Sequence, residues 1–164
     1  MKNIYYNYDK LFSYNFLIAF VIGERGVGKS FGATDFVTNQ FIKKGDEFVY
    51  LRRYKTELSK SIKNFFSALI KEEKYPNNQL STKGLNLMID EKIAGYGMTL
   101  STAQQLKSSN FPNVKTIIFD EFLIEPGQGH YIKNEVFSFL GLIETIARTR
   151  DIRVFMLGSS VTEI

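Results

Sequence analysis

The chain of 164 residues has no cysteine, 12 glycines and 3 prolines, with 44% hydrophobic and 23% charged residues, the make-up of one globular domain of ordinary size. Without cysteine, a disulfide framework, a thiolate zinc site and a cysteine nucleophile are all excluded. A net charge of +4 is unevenly spread, residues 43–63 holding seven basic and three acidic side chains and residues 120–164 seven acidic and four basic ones, which is compatible with a polyanionic partner but decides nothing alone.

The opening MKNIYYNYDK mixes charge with tyrosine. The apolar run after it, 16–22, is far shorter than the roughly 20 residues of a membrane span, so neither a signal peptide nor a membrane anchor is expected. That run, bounded by Gly23, reads as a strand covered on both faces. A helix begins at Ser30, with Phe31, Phe36, Val37, Phe41 and Ile42 at near-helical spacing, Lys43 and Lys44 suiting its C-terminus and Gly45 ending it. Residues 47–51 read as a second strand, and residues 57–71 as a helix with Leu58, Ile62, Phe65, Phe66, Leu69 and Ile70 on one face. After Pro76-Asn77-Asn78, residues 84–89 and 92–98 read as a hairpin about Asp90-Glu91. Residues 114–119 form a β-branched strand ending in Asp120-Glu121, residues 132–148 a helix and residues 153–157 a last strand. Strands alternating with helices predict an α/β fold: a mainly parallel central sheet between helices, carrying an inserted β-hairpin.

Gly23-Glu24-Arg25-Gly26-Val27-Gly28-Lys29-Ser30 fits G-x-x-x-x-G-K-[ST] and stands between a strand and a helix, the context that makes this motif a P-loop. Its glycines let the backbone wrap phosphate oxygens, its N–H groups supply donors, Lys29 adds a cation for the β- and γ-phosphates, and Ser30 offers a hydroxyl to Mg²⁺. Asp120 and Glu121 complete the site at a C-terminal strand edge, Asp120 for the Mg²⁺ shell and Glu121 to polarise an attacking water. The expected fold is therefore an ASCE-type P-loop NTPase using ATP and Mg²⁺.

Other residues leave two readings open. Arg148, and after it Arg150, suits either a helix C-terminus or an arginine supplied in trans to a neighbour's γ-phosphate, while Arg25 in the loop is placed to act in cis. Arg52, Arg53 and Lys55 read as contacts to DNA or to a neighbour's nucleotide, or as a solvated basic turn. Tyr5, Tyr6, Tyr8 and Phe12 either stack on adenine or pack on the core. Gly158-Ser159-Ser160 is either a γ-phosphate sensor or a turn, and His130 reads as a surface-loop residue.

Taken together, 21–30, 51–58, 75–80, Ala94-Gly95, Phe111-Pro112-Asn113-Val114, 118–122, Asn134-Glu135-Val136 and Arg148-Thr149-Arg150 resemble the DNA-packaging (encapsidation) ATPases of small short-tailed bacteriophages, within the wider ring-translocase group. The resemblance implies a homo-oligomeric ring, usually of five subunits, in the host cytoplasm, docked at the procapsid portal and driving double-stranded DNA inward. It implies the portal connector as a partner and a structural RNA as a candidate one. By resemblance Lys29 and Ser30 bind phosphates and metal, Asp120 holds Mg²⁺, Glu121 is the catalytic carboxylate, Arg148 acts in trans, and Lys55 reaches across a subunit interface. Family members carry a further C-terminal domain of RNase-H-like fold, so residues 1–164 are expected to be the N-terminal motor part of a longer protein. Two rival readings stand beside this one: a helicase- or initiator-like ATPase, and a nucleotide-dependent scaffold with little turnover. No N-K-x-D segment supports a GTPase.

Overall fold

In the computed structural model, which describes residues 4–5, 16–23, 29–125, 127 and 129–159, strands and helices alternate as expected. The elements are β1 (Ile4–Tyr5), β2 (Phe16–Gly23), α1 (Lys29–Lys44), β3 (Glu47–Arg52), α2 (Lys55–Ser61), α3 (Ser67–Lys71), β4 (Leu80–Lys83), β5 (Asn86–Ile89), β6 (Lys92–Thr99), β7 (Val114–Asp120), α4 (Glu135–Ala147) and β8 (Ile152–Ser159). The described strands form one eight-stranded sheet in the order β1-β2-β8-β7-β3-β6-β5-β4. The five strands β2, β8, β7, β3 and β6 are mutually parallel, and β1, β5 and β4 add antiparallel edges.

Both faces of the sheet are covered, and strand alternation sorts its side chains between them. Phe48, Tyr50, Ile118 and Leu157 pack with Val37 of α1, Leu58 of α2 and Leu69 of α3. Val49, Leu51, Ile117, Phe119 and Val154 pack with Phe139, Leu142, Ile143 and Ile146 of α4. The same two-residue period, carried past the end of β3, sends the consecutive arginines 52 and 53 to opposite faces.

Two local expectations change. The helix expected over 57–71 is broken by a 3₁₀ turn at Ile62–Asn64, which lets the adjacent Phe65 and Phe66 both bury, Phe65 stacking on Phe48 at 5.4 Å. Burying two phenyl groups at about 1.5–3 kcal/mol each outweighs a lost helical hydrogen bond worth about 1 kcal/mol. The hairpin is present, with Asp90 and Glu91 at φ 53° and 65°, but it belongs to the central sheet: β6 pairs in parallel with β3, and β4 makes it a three-stranded meander. A 3₁₀ segment at Leu100–Leu106 lay in a stretch without helical periodicity. Among the described residues no helix is long and apolar enough to cross a membrane.

Candidate functional site at the C-terminal edge of the sheet

All strands of the parallel core end at the same edge, and there Lys29, Ser30, Asp120, Glu121, Leu157, Gly158 and Ser159 line an open cleft of about 210 Å³. Lys29 and Ser30 are the first residues of α1, and the Lys29 ammonium donates to the Gly23 carbonyl at 3.1 Å, so helix start and strand end meet at the cleft. Glu24, Arg25, Gly26, Val27 and Gly28 lie outside the described residues, as do Tyr6, Tyr8, Phe12, Ser160 and the side chain of Tyr5. The expected loop conformation, the cis role of Arg25 and the aromatic stacking fall there.

Asp120 ends β7 on the same sheet face as Tyr50 of β3, whose hydroxyl donates to Asp120 Oδ2 at 3.1 Å. Burial raises the Asp120 pKa above the ordinary carboxylate value; the Arg52 charge opposes that rise and the Glu121 charge adds to it. Burial and the Asp120 charge likewise push the Tyr50 phenol up, which keeps it a donor. Glu121 follows with φ 55°, a left-handed backbone unusual for a residue with a Cβ. Its side chain is 63% exposed, and its Oε2 accepts from Arg52 Nη2 at 3.2 Å. Arg52 is itself buried, 3.9 Å from Glu57, with Nε left without a hydrogen-bond partner.

The third wall comes from β8. The Leu157 carbonyl accepts the Phe122 N–H at 3.0 Å, and a Cβ on Gly158 would stand 2.9 Å from the Phe122 ring, so only glycine lets the chain after Glu121 cross this strand so closely. Ser159 thus reaches the cleft.

The remaining sequence candidates separate. Lys55 is exposed at the start of α2. Arg53 is 2% exposed with its donors taken up inside the chain, and Arg52 is 7% exposed. The solvated-turn reading does not describe these two, because strand alternation carries both inward. α4 joins two parallel neighbouring strands, so it runs back across the sheet and ends at the opposite edge, about 20 Å from Glu121 at ~3.3 Å per residue of β7. There Arg148 is exposed and donates to the Ser109 carbonyl at 2.8 Å. Arg150 instead clamps the carbonyls of Phe111, Val114 and Ile146. His130 is exposed in the loop, its carbonyl accepting the Tyr54 hydroxyl.

Sequence reasoning missed Tyr50, and it picked out Glu135 within Asn134-Glu135-Val136 without giving it a partner. The two-residue step from Tyr50 to Arg52 on a strand was the signal that could have paired Tyr50 with the carboxylate strand; nothing short of the fold brings Glu135 to Arg53.

The donor set fits Mg²⁺ and a polyphosphate. One hydroxyl and one carboxylate are hard oxygen ligands in the small number that Mg²⁺ usually takes from protein, the rest coming from phosphates and water, and a lysine stands beside them. No cluster of three or more His, Asp or Glu occurs among the described residues, so the cleft suits a cation that arrives with phosphates rather than an all-protein cage.

A parallel sheet that collects a lysine, a hydroxyl and two carboxylates at one edge defines an α/β protein with a candidate polyphosphate cleft. This chain belongs to the Podovirus DNA encapsidation protein (Gp16) family, whose profile matches residues 1–164. It is 42% identical to the DNA packaging protein of Bacillus phage phi29 over 164 residues, 99% of this chain and 48% of that protein. The chain thus spans about half the length of the curated relatives it matches. Among solved structures it is similar to the N-terminal domain of the DNA packaging ATPase from bacteriophage phi29, with a TM-score of 0.78 and 44% identity over 93% of this chain and 78% of that one. It is similar also to a chain of the bacteriophage Phi-29 viral genome packaging motor assembly, with a TM-score of 0.79 and 43% identity over 96% of this chain and 48% of that one.

Proposed function

We propose that residues 1–164 form an ATP-hydrolysing motor domain of ASCE-type P-loop fold that drives double-stranded DNA into a procapsid as part of a homo-oligomeric ring. The observation that carries this reading is the meeting of Lys29, Ser30, Asp120 and Glu121 in one cleft. The strand order supports it: β8 stands between the loop-bearing β2 and the carboxylate-bearing β7, as that fold requires. Ser30 and Asp120 would hold Mg²⁺, which when bound with ATP neutralises phosphate charge. Lys29, at the head of α1, binds the β- and γ-phosphates. Glu121, exposed at the cleft mouth, orients the attacking water and takes its proton.

Arg148 lies too far from its own cleft to serve it, which supports a role in trans. It directly follows α4, whose outward side carries Phe137, Leu140 and Glu144, spaced three and four residues apart, and Phe137 is 77% exposed. An apolar stripe leading to a solvent-facing arginine is suited to a neighbouring subunit. DNA packaging is supported by the family and by the motor assembly that the chain is similar to; the portal connector, a pentameric ring and a structural RNA are proposed on the family resemblance, with Lys55, exposed at the start of α2, placed to meet DNA or a neighbour.

Two substitutions test the core of the proposal. Lys29→Ala should abolish ATP binding and turnover; Glu121→Gln should retain ATP while turnover falls about a hundredfold or more. Turnover in Glu121→Gln equal to that of the unaltered chain would overturn the assignment, and binding without turnover in the unaltered chain would favour the scaffold reading.

A further inference from the structure

Glu135 stood out in the sequence as part of Asn134-Glu135-Val136 but has no role in the cleft, and Arg53 is a buried cation that the cleft does not use. The two meet. Arg53 Nε and Nη2 donate to the two carboxylate oxygens of Glu135, each at 2.8 Å. The same guanidinium gives Nη1 to the Glu121 carbonyl at 3.2 Å and Nη2 to the Phe122 carbonyl at 2.6 Å. Its plane lies between the rings of Phe119, at 5.4 Å, and Tyr131, at 4.8 Å. Glu135 Oε1 also accepts the Ile132 N–H at 2.9 Å, and the Tyr131 hydroxyl accepts the Ile124 N–H at 3.0 Å. Both ends of the connection from β7 to α4 therefore converge on one side chain.

We infer that Arg53 and Glu135 are a positioning pair that holds the backbone of Glu121 in its left-handed conformation and so presents its carboxylate to the cleft. A buried ion pair is weak evidence for stability, since well-packed apolar side chains often serve as well. What apolar side chains cannot do is donate to the carbonyls of residues 121 and 122, the first of which has φ 55°, a backbone that would relax unsupported. The planar fork of arginine meets a carboxylate in bidentate fashion and still has donors left for those carbonyls; the ammonium of lysine cannot span both. Arg53 and Glu135 touch no reacting group and act only through Glu121, so the inference rests on the role proposed for that residue.

The test uses Glu135→Gln, which keeps the shape but turns an amide donor toward the Arg53 donors, and Glu135→Asp, which keeps the compensating charge and therefore the fold. Positioning predicts that Glu135→Gln keeps affinity for Mg·ATP within about threefold while turnover per bound nucleotide falls tenfold to a hundredfold, roughly the cost of a misplaced group. Glu135→Asp should retain an intermediate rate. Amide exchange in residues 121–134 should quicken by about fivefold or more in Glu135→Gln, with β3 and β7 unchanged. A purely structural role would instead lower the melting temperature and the fraction of chains that bind nucleotide, with unchanged turnover per bound nucleotide, and that result overturns the inference. Glu121→Gln run alongside separates the two claims. If it is inactive while Glu135→Gln is undiminished, only the positioning pair fails; if it is fully active, the role of Glu121 fails, and the exchange rates still decide whether the pair holds the segment.

Discussion

Asp120 is held where its own charge is unwelcome: burial lifts its pKa, the neighbouring Glu121 adds to the lift, and the buried Arg52 offsets part of it. A carboxyl whose folded pKa exceeds its unfolded value favours the folded state below the unfolded pKa and loses that advantage as pH rises through the folded one. Above the unfolded pKa the raised Asp120 pKa therefore weighs against folding, which is what a site kept ready for a cation looks like. Asp120→Asn, whose amide oxygen can still accept from Tyr50, should raise the melting temperature of the nucleotide-free chain at pH 7. The gain should shrink as pH falls through the raised Asp120 pKa, while metal-dependent nucleotide binding is lost at every pH. Melting curves from pH 4 to 8 check the sign, and a variant less stable at pH 7 than the unaltered chain would contradict it. Arg52→Gln removes the offsetting cation and should move the acid limb of nucleotide binding to higher pH; titration of binding in that variant reads the shift directly.

The elements show which sequence signals survive packing. Strand and helix order was legible because apolar runs of strand length alternate with helical spacing, and the two halves of the cleft were legible because glycines, a lysine and paired carboxylates sit at fixed places beside those runs. The break between α2 and α3 was not, because adjacent Phe65 and Phe66 fit a helical pattern until the sheet offers both a place. Nor was the inward turn of Arg52 and Arg53, since an Arg-Arg pair after a strand reads as solvated until Glu121 and Glu135 arrive from residues far along the chain. The β5–β6 turn gives a prediction at this scale. Asp90 and Glu91 both have positive φ, the conformation of a type I′ turn, and the Asp90 carboxylate is occupied in accepting from the Gln79 N–H and the Asn78 side chain. Glu91 has no such hydrogen bond among the described residues, so Glu91→Gly should stabilise the chain by about 0.5–1 kcal/mol despite the entropy that glycine adds to the unfolded state. A rise in urea midpoint with unchanged m-value checks it; Asp90→Gly, which loses the carboxylate, should instead lower the midpoint. Gly95 works the other way, since a Cβ there would stand 2.4 Å from the Phe48 ring; Gly95→Ala should cost about 1–3 kcal/mol through overpacking and leave nucleotide affinity alone.

For the molecule as a whole, the decisive geometric fact is that α4 begins at the cleft edge, where Glu135 meets Arg53, and ends at the opposite edge with Arg148 exposed. One chain thus has its cleft at one edge and its exposed Arg148 at the other, which suits the head-to-tail contacts from which closed rings are built. If the neighbour's Arg148 completes each cleft, specific activity should climb with protein concentration, and Arg148→Ala should lower turnover about a thousandfold, the scale of an arginine supplied in trans. Lys29→Ala is also inactive, but for a different reason: its cleft is empty while its arginine is intact. Mixing the two inactive variants in equal amounts should then restore activity. Half the subunits carry a competent cleft and half of those sit beside an intact Arg148, so random assembly predicts about a quarter of the specific activity of the unaltered chain. Arg150→Ala mixed in the same way should show no such complementation, because that side chain clamps carbonyls of its own chain and its loss destabilises the subunit that carries it. Restoration in the first mixture requires that residues of two chains meet in one site; if the mixture stays inactive while each variant still assembles, the trans assignment falls and Arg148 is left with its contact to the Ser109 carbonyl.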